Sequence, residues 1–182
     1  KPQANWIESL LAPLREGRSG TVCGYTVYAG GFWAKLQSLL DFGFLMPPKA
    51  GPVGCYPCNN WAGLREEILK FPLIVDEDLR CSCYVHAQEM ARDGRAMQMA
   101  PEARVLHDLP PFFQERFRRG ADLVAVCWVD PTLPEAKYIE WGWAAVPAFY
   151  VRNVRTDWKR LRRCWAEIDF SKTQACLAAA LI

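Results

Sequence analysis

The spacing of apolar positions predicts four elements between residues 4 and 70. Residues 4–15, "ANWIESLLAPLR", place their apolar side chains on one helical face. Residues 21–29, "TVCGYTVYA", are rich in β-branched and aromatic side chains and predict a strand. Residues 32–42 return to helical spacing, and residues 61–70, "WAGLREEILK", show it again. This part of the chain therefore predicts three helices and one strand.

The second half predicts further strands and helices. Residues 71–99 predict a short strand, an acidic turn and a second strand that contains "CSCYVHAQEM", and residues 110–119 predict a short helix with prolines at its start. Residues 121–129, "ADLVAVCWV", have the composition of a strand, and with the turn "DPTLPE" and the segment "AKYIEWGWAAV" they predict an antiparallel hairpin. A helix is predicted from Thr156 to Ile168, followed by a helical tail.

Helices and strands are segregated along the chain, without the alternation that a parallel sheet requires. We therefore expect one compact α+β domain over residues 1–182, with an antiparallel sheet flanked by helices. Hydrophobic residues make up 51% of the chain, enough to build a core. The net charge of +2 does not by itself require a nucleic acid or a membrane. No apolar run approaches the roughly 20 residues of a membrane span.

Two cysteine pairs are the clearest chemical signal. Cys55 and Cys58 are separated by two residues, and Cys81 and Cys83 by one, all beside Gly, Pro, Asn or Ser. Turn-borne thiolates two residues apart are typical zinc ligands, whereas the one-residue gap of the second pair is less usual. A metal would order the long irregular stretch before them. We therefore predict one structural zinc in a subregion over residues 43–86, with His86 as a substitute ligand. The same thiols are alternatively disulfide partners or reduced bystanders.

The lack of secretory sequence signals indicates an intracellular protein, cytoplasmic or nuclear. The chain has no signal-peptide pattern and no Asn-x-Ser/Thr sequon, and paired cysteines in such a chain indicate metal more readily than disulfides. Because it begins at Lys1, we expect a processed product or an excised domain.

A cysteine nucleophile is a second chemical hypothesis. Only His86 and His107 are available as a general base. Cys23 with His107, oriented by Asp108 or by a more distant carboxylate, would form a nucleophile and base pair. The tripeptide from Cys23 to Tyr25, "CGY", resembles the nucleophile stretch of some viral papain-like and OTU-like cysteine proteases. That resemblance implies a protease. The strand pattern around Cys23 implies instead a small core residue.

The predicted helix near the C-terminus is both aromatic and basic. Its apolar stripe predicts a face packed on the core, and its cations predict a surface for a protein or nucleic-acid partner. The stripe consists of Trp158, Leu161, Trp165 and Ile168, and the predicted partner-binding residues are Arg155, Lys159, Arg160, Arg162 and Arg163.

These patterns together favour a zinc-stabilised binding or regulatory domain that contacts a protein or a nucleic acid, rather than an enzyme. The alternatives are a cysteine hydrolase that uses Cys23 and His107, and a metal-free structural or assembly domain.

Overall fold

The structure is a computed structural model that describes residues 1–46, 48–73, 82–133 and 135–181. These residues form eight α-helices and a mixed sheet of four strands. The helices are α1 (Trp6–Arg15), α2 (Phe32–Phe42), α3 (Arg65–Lys70), α4 (Ser82–Arg92), α5 (Phe112–Val129), α6 (Ala136–Glu140), α7 (Ala145–Cys164) and α8 (Lys172–Leu181). The strands are β1 (Thr21–Tyr28), β2 (Gly51–Val53), β3 (Trp61–Gly63) and β4 (Met97–His107).

The sheet has the strand order β2-β4-β1-β3. Strand β1 pairs with β4 in parallel, whereas β2–β4 and β1–β3 are antiparallel. The α+β class is confirmed, but the all-antiparallel sheet is wrong, because the long strand β4 was not predicted. A parallel partner needs a long crossover, and the chain between β1 and β4 provides it.

Alternate residues of β1 enter two separate cores, as a buried strand requires. Val22 packs with Leu10 of α1 on one face of the sheet. Cys23 and Tyr25 belong to the larger core on the other face, with side chains of α2, α7 and α8. The sheet therefore lies between α1 on one face and α2, α7 and α8 on the other, so helices flank it as predicted.

A glycine fixes the irregular point of the β1–β4 ladder. The register shifts between Gly24 and Tyr25, because Gly24 pairs with Ala100 and Tyr25 with Arg104. A Cβ atom on Gly24 would lie 2.1 Å from the carbonyl oxygen of Ala103. Only a residue without a side chain allows the bulged backbone of β4 to approach so closely.

The predicted elements of the first half are largely confirmed. In the second half, the helices predicted over residues 110–119, from Thr156 and in the tail appear within α5, α7 and α8, whereas the predicted strands are wrong. The three elements over residues 4–42 appear as α1, β1 and α2. The predicted helix over residues 61–70 is β3 followed by α3, and the described part of "CSCYVHAQEM" is helical.

The segment predicted to form an antiparallel hairpin is also helical. Residues 121–129 continue α5, because the helical periodicity that begins at Phe112 extends through them, and α6 and the start of α7 replace the second strand. Within the described ranges, no helix is long and apolar enough to cross a membrane.

Candidate functional site

A cavity of about 740 Å³ lies between the C-terminal ends of strands β1 and β4 and the helix α5. It brings together residues that the sequence indicated separately: Cys55, Cys58, Cys83, His107 and Arg160. Carboxylates and an arginine of α5 line the opposite wall. A concave site with several converging polar groups is where a ligand or a catalytic group is expected.

Two of the four predicted zinc ligands are in contact at this cavity. A hydrogen bond with Cys83, followed by burial, raises the pKa of the Cys58 thiol, and Cys55 lines the same cavity. Cys81 lies outside the described residues. Among those that the structure describes, no group of three or more His, Cys, Asp or Glu side chains is placed to hold a metal. Zinc stabilisation therefore has no support from the described residues, and the zinc site stays a prediction.

His86 is engaged in the core and is not placed to replace a thiolate. Its Nδ1 atom lies 2.6 Å from the Tyr56 hydroxyl, and its Nε2 atom lies 2.8 Å from the carbonyl oxygen of Phe71. A carbonyl only accepts, so Nε2 carries the proton and Nδ1 accepts from the Tyr56 hydroxyl. Metal binding by His86 would break one of these hydrogen bonds.

The structure does not bring Cys23 and His107 together. Cys23 is fully buried in β1, beside the Met99 sulfur at 4.0 Å, and burial raises its pKa to about 12. His107 is exposed at the end of β4 and pairs with Tyr28, five residues further along β1. At about 3.3 Å per residue, that separates the two side chains by roughly 17 Å. In this arrangement Cys23 is a core residue, remote from the base that a hydrolase would need.

A network of charges connects α2 to α5 across the cavity wall, and the sequence analysis did not identify it. The side chain of Asp41 is only 2% exposed and forms an ion pair with Arg116. It also accepts a hydrogen bond of 2.9 Å from the Tyr28 hydroxyl. Arg119 pairs with Glu115 at 2.9 Å and approaches Asp41 to 3.9 Å. Burial and the neighbouring charge of Arg119 lower the pKa of Arg116 to about 10.

The basic residues of α7 fall into two groups. Arg160 pairs with Asp157 at 2.8 Å, and Arg163 donates a hydrogen bond of 3.1 Å to the carbonyl oxygen of Gly43, so both are tied to the fold. The other three predicted cations are exposed, and none forms an ion pair with another described residue: Arg155, Lys159 and Arg162.

The apolar stripe of this helix is buried only in part. Leu161 and Ile168 are buried, as predicted. Trp158 and Trp165 lie at the edge of the buried face, 44% and 40% exposed, so the prediction that both rings pack in the core is wrong. The helix is covered along a narrow line through Leu161 and Cys164, Ile168 is buried in the turn that follows, and the indoles project beside this line.

Comparison with protein-family models, with curated proteins and with solved structures found no match.

Proposed function

We propose that this domain binds single-stranded nucleic acid along the exposed side of α7. The observation that supports the proposal is an alternation of cations and indoles on that side, which we name the α7 stripe: Arg155, Trp158, Arg162 and Trp165. All four side chains are exposed. Trp165 directly follows α7 and keeps helical backbone angles. Successive members are three, four and three residues apart, so they lie on one face of the helix.

The stripe has the two components that single strands require. Bases stack on aromatic rings whatever their identity, and cations beside the rings contact the phosphates. At about 1.5 Å per residue, the two indoles are roughly 10 Å apart along the helix axis, with Arg162 between them. Two bases can therefore stack on successive rings while the connecting backbone passes the guanidinium.

The charge of α7 is also concentrated where the stripe lies. Between Arg152 and Arg163 the helix carries six basic residues and one acidic residue, Asp157. That acid is already paired with Arg160. The whole chain carries a net charge of only +2, so this helix is a local cationic surface on a nearly neutral protein.

The experiment is fluorescence anisotropy of a labelled 20-nucleotide deoxythymidine strand, titrated with the protein at several salt concentrations. If three cations displace counterions, the logarithm of the association constant should fall with the logarithm of salt with a slope of about −2. Replacing either indole by alanine should weaken binding by roughly 5- to 150-fold, because each stacked base contributes about 1–3 kcal/mol.

A charge-matched control separates the stripe from general electrostatics. The double variant Arg155→Glu with Arg162→Glu should abolish binding without changing the melting temperature. The control, Arg15→Glu with Arg65→Glu, alters the net charge equally at two other exposed arginines and should bind as the parent does. No binding at low salt, or an equal loss in the control, would refute the proposal. Binding of polyglutamate in place of the strand would indicate an acidic protein partner.

A further inference from the structure

Helix α5 is amphipathic, but unlike an ordinary surface helix it buries charged residues and exposes large apolar ones. Its charged residues Glu115 and Asp122 are buried, and they face the cavity with Arg119. Its large apolar side chains face solvent on the opposite side, where Phe113 and Phe117 are each 82% exposed. A monomeric protein rarely exposes a continuous apolar line of this size, so such a surface indicates a partner.

The exposed apolar residues of α5 are spaced symmetrically about the middle of the helix. We name this line the α5 stripe, and its members recur at intervals of four, three, four and four residues: Phe113, Phe117, Gly120, Val124 and Trp128. These intervals keep all five on one face of the helix. Phe113 and Trp128 are equally far from the midpoint between Gly120 and Ala121, and so are Phe117 and Val124.

We propose that the α5 stripe pairs antiparallel with the α5 stripe of a second copy of this chain. A two-fold interface requires a surface that is complementary to itself, and reversal about the midpoint gives that property. Phe113 then faces Trp128 of the second copy, and Phe117 faces Val124. The small residues Gly120 and Ala121 meet at the dyad, where they allow the helices to approach closely.

The exposed area is close to what a stable dimer needs. Val124 is 47% and Trp128 is 73% exposed, beside the two nearly bare phenylalanines. Since a large aromatic side chain offers roughly 150–250 Å², the four side chains together present about 500 Å² per copy. Two copies would bury about 1,000 Å² before the flanking residues are counted, against about 1,200 Å² for the smaller specific interfaces.

The charge on this side of the helix also suits a second copy. Among the exposed positions of α5, Arg118 is the one charged residue that the structure describes. Reversal places it opposite Leu123 of the second copy, not opposite the other Arg118. The centre of the interface is therefore apolar, as the cores of such interfaces are, and like charges do not face each other.

The first test is sedimentation equilibrium of the whole protein over a range of concentrations. The parent should be dimeric at about 100 µM, and Phe117→Glu should raise the dissociation constant at least 30-fold or so, as loss of a central aromatic does. Gly120→Leu is the sharper variant. A Cβ atom there meets nothing within 4 Å, so the monomer accepts the change, but the larger side chain separates the two helices. It should weaken the dimer at least about tenfold with unchanged helical content by circular dichroism.

Cross-linking tests the direction of pairing. In the antiparallel dimer the two copies of residue 121 lie at the dyad, whereas the two copies of residue 113 are about 22 Å apart along the axis. Ala121→Cys should therefore cross-link to itself with a short bismaleimide, above the level given by the native thiols, and Phe113→Cys should not.

Three results would overturn the proposal. One is a monomeric parent at about 100 µM. Another is an equal loss of self-association in Trp143→Glu, a matched control at an indole that is 92% exposed outside α5. The third is efficient self-cross-linking of Phe113→Cys, which requires a parallel pair.

Discussion

Asp41→Asn should show how the charged face of α5 is held against the fold. The substitution keeps the shape of the side chain and an acceptor for the Tyr28 hydroxyl, but it removes the negative charge that pairs with Arg116. What remains is a guanidinium whose pKa burial already lowers to about 10, now without its carboxylate. The perturbation therefore tests the ion pair and leaves the packing in place.

The magnitude follows from the burial of the two partners. Removal of one partner from a fully buried ion pair costs about 3–5 kcal/mol, because the other charge stays desolvated. The Arg116 side chain is 28% exposed, so water compensates in part, and we expect a loss of about 2–3 kcal/mol. For a chain of this length that lowers the melting temperature by roughly 4–12 °C.

The assay is thermal and urea unfolding of Asp41→Asn, Arg116→Met and the double variant. The double variant should be less destabilised than the sum of the single changes by about 1 kcal/mol or more, because the second substitution removes the charge that the first leaves unpaired. Glu16→Gln is the matched control. Its pair with Arg18 is 56% exposed on both sides, so the change should cost less than about 1 kcal/mol. Additive single changes, or an Asp41→Asn variant that melts like the control, would refute the reasoning.

Three other properties are open to measurement. Elemental analysis of protein purified without added metal should find one zinc per chain, and Cys58→Ser should lower stability, since structural zinc is coupled to folding; well under half an equivalent would exclude the site. Gly24→Ala should cost about 3 kcal/mol or more in urea unfolding, because its Cβ would meet backbone at 2.1 Å, whereas Gly54→Ala, with nothing within 4 Å, should be nearly neutral. Burial would raise the pKa of Asp130, but hydrogen bonds from Thr132 and Arg92 outweigh it and hold the pKa below its usual range. Its stabilisation is therefore present above the unfolded pKa of about 3.9 and is lost as the pH falls through the lower folded pKa, so Asp130→Asn should flatten the loss of stability below about pH 4.

The first forty residues could be predicted because local pattern and tertiary environment agree there. The strand β1 is buried on both faces and has the β-branched and aromatic composition of such strands. Helices α1 and α2 each bury one face, and their apolar residues recur at the helical period. In these elements the side chains that favour the local conformation are also the ones that the core needs.

The errors in the second half have a common physical origin. "ADLVAVCWV" has the composition of a strand, but Asp122 and Val126 continue the inward face of a helix that begins ten residues before Asp122. Within a short window the helical period is not visible, and Gly120 separates the two halves of the helical pattern. Strand β4 does not have a strand-like sequence, because "MQMAPEARVLH" contains a proline and charges. Pro101 and Glu102 lie in the bulge between the paired residues Ala100 and Arg104.

The sequence indicates which residue types the candidate site contains but not how they are arranged. The sequence indicated the thiols, His107 and the cations of α7, and the structure places several of these at one cavity. The sequence could not indicate that Arg160 would pair within its own helix while Arg162 would face solvent. The buried Asp41 was missed because a charge inside a predicted amphipathic helix is expected to face water.

Helix α5 packs on the rest of the fold through one face and would bind a second copy through the other. The stability of its packing and the dimerisation are therefore coupled. The helix is held at its start by Phe112 against Trp33 and near its end by Val126 against Val85, with the Asp41 network between these contacts. Its largest apolar side chains contribute little to that attachment, because they face outward. A second copy that binds the outward face only when α5 is folded therefore adds its binding free energy to the stability of the network. The melting temperature should then rise with protein concentration, and Gly120→Leu should remove that dependence without lowering the value measured at high dilution.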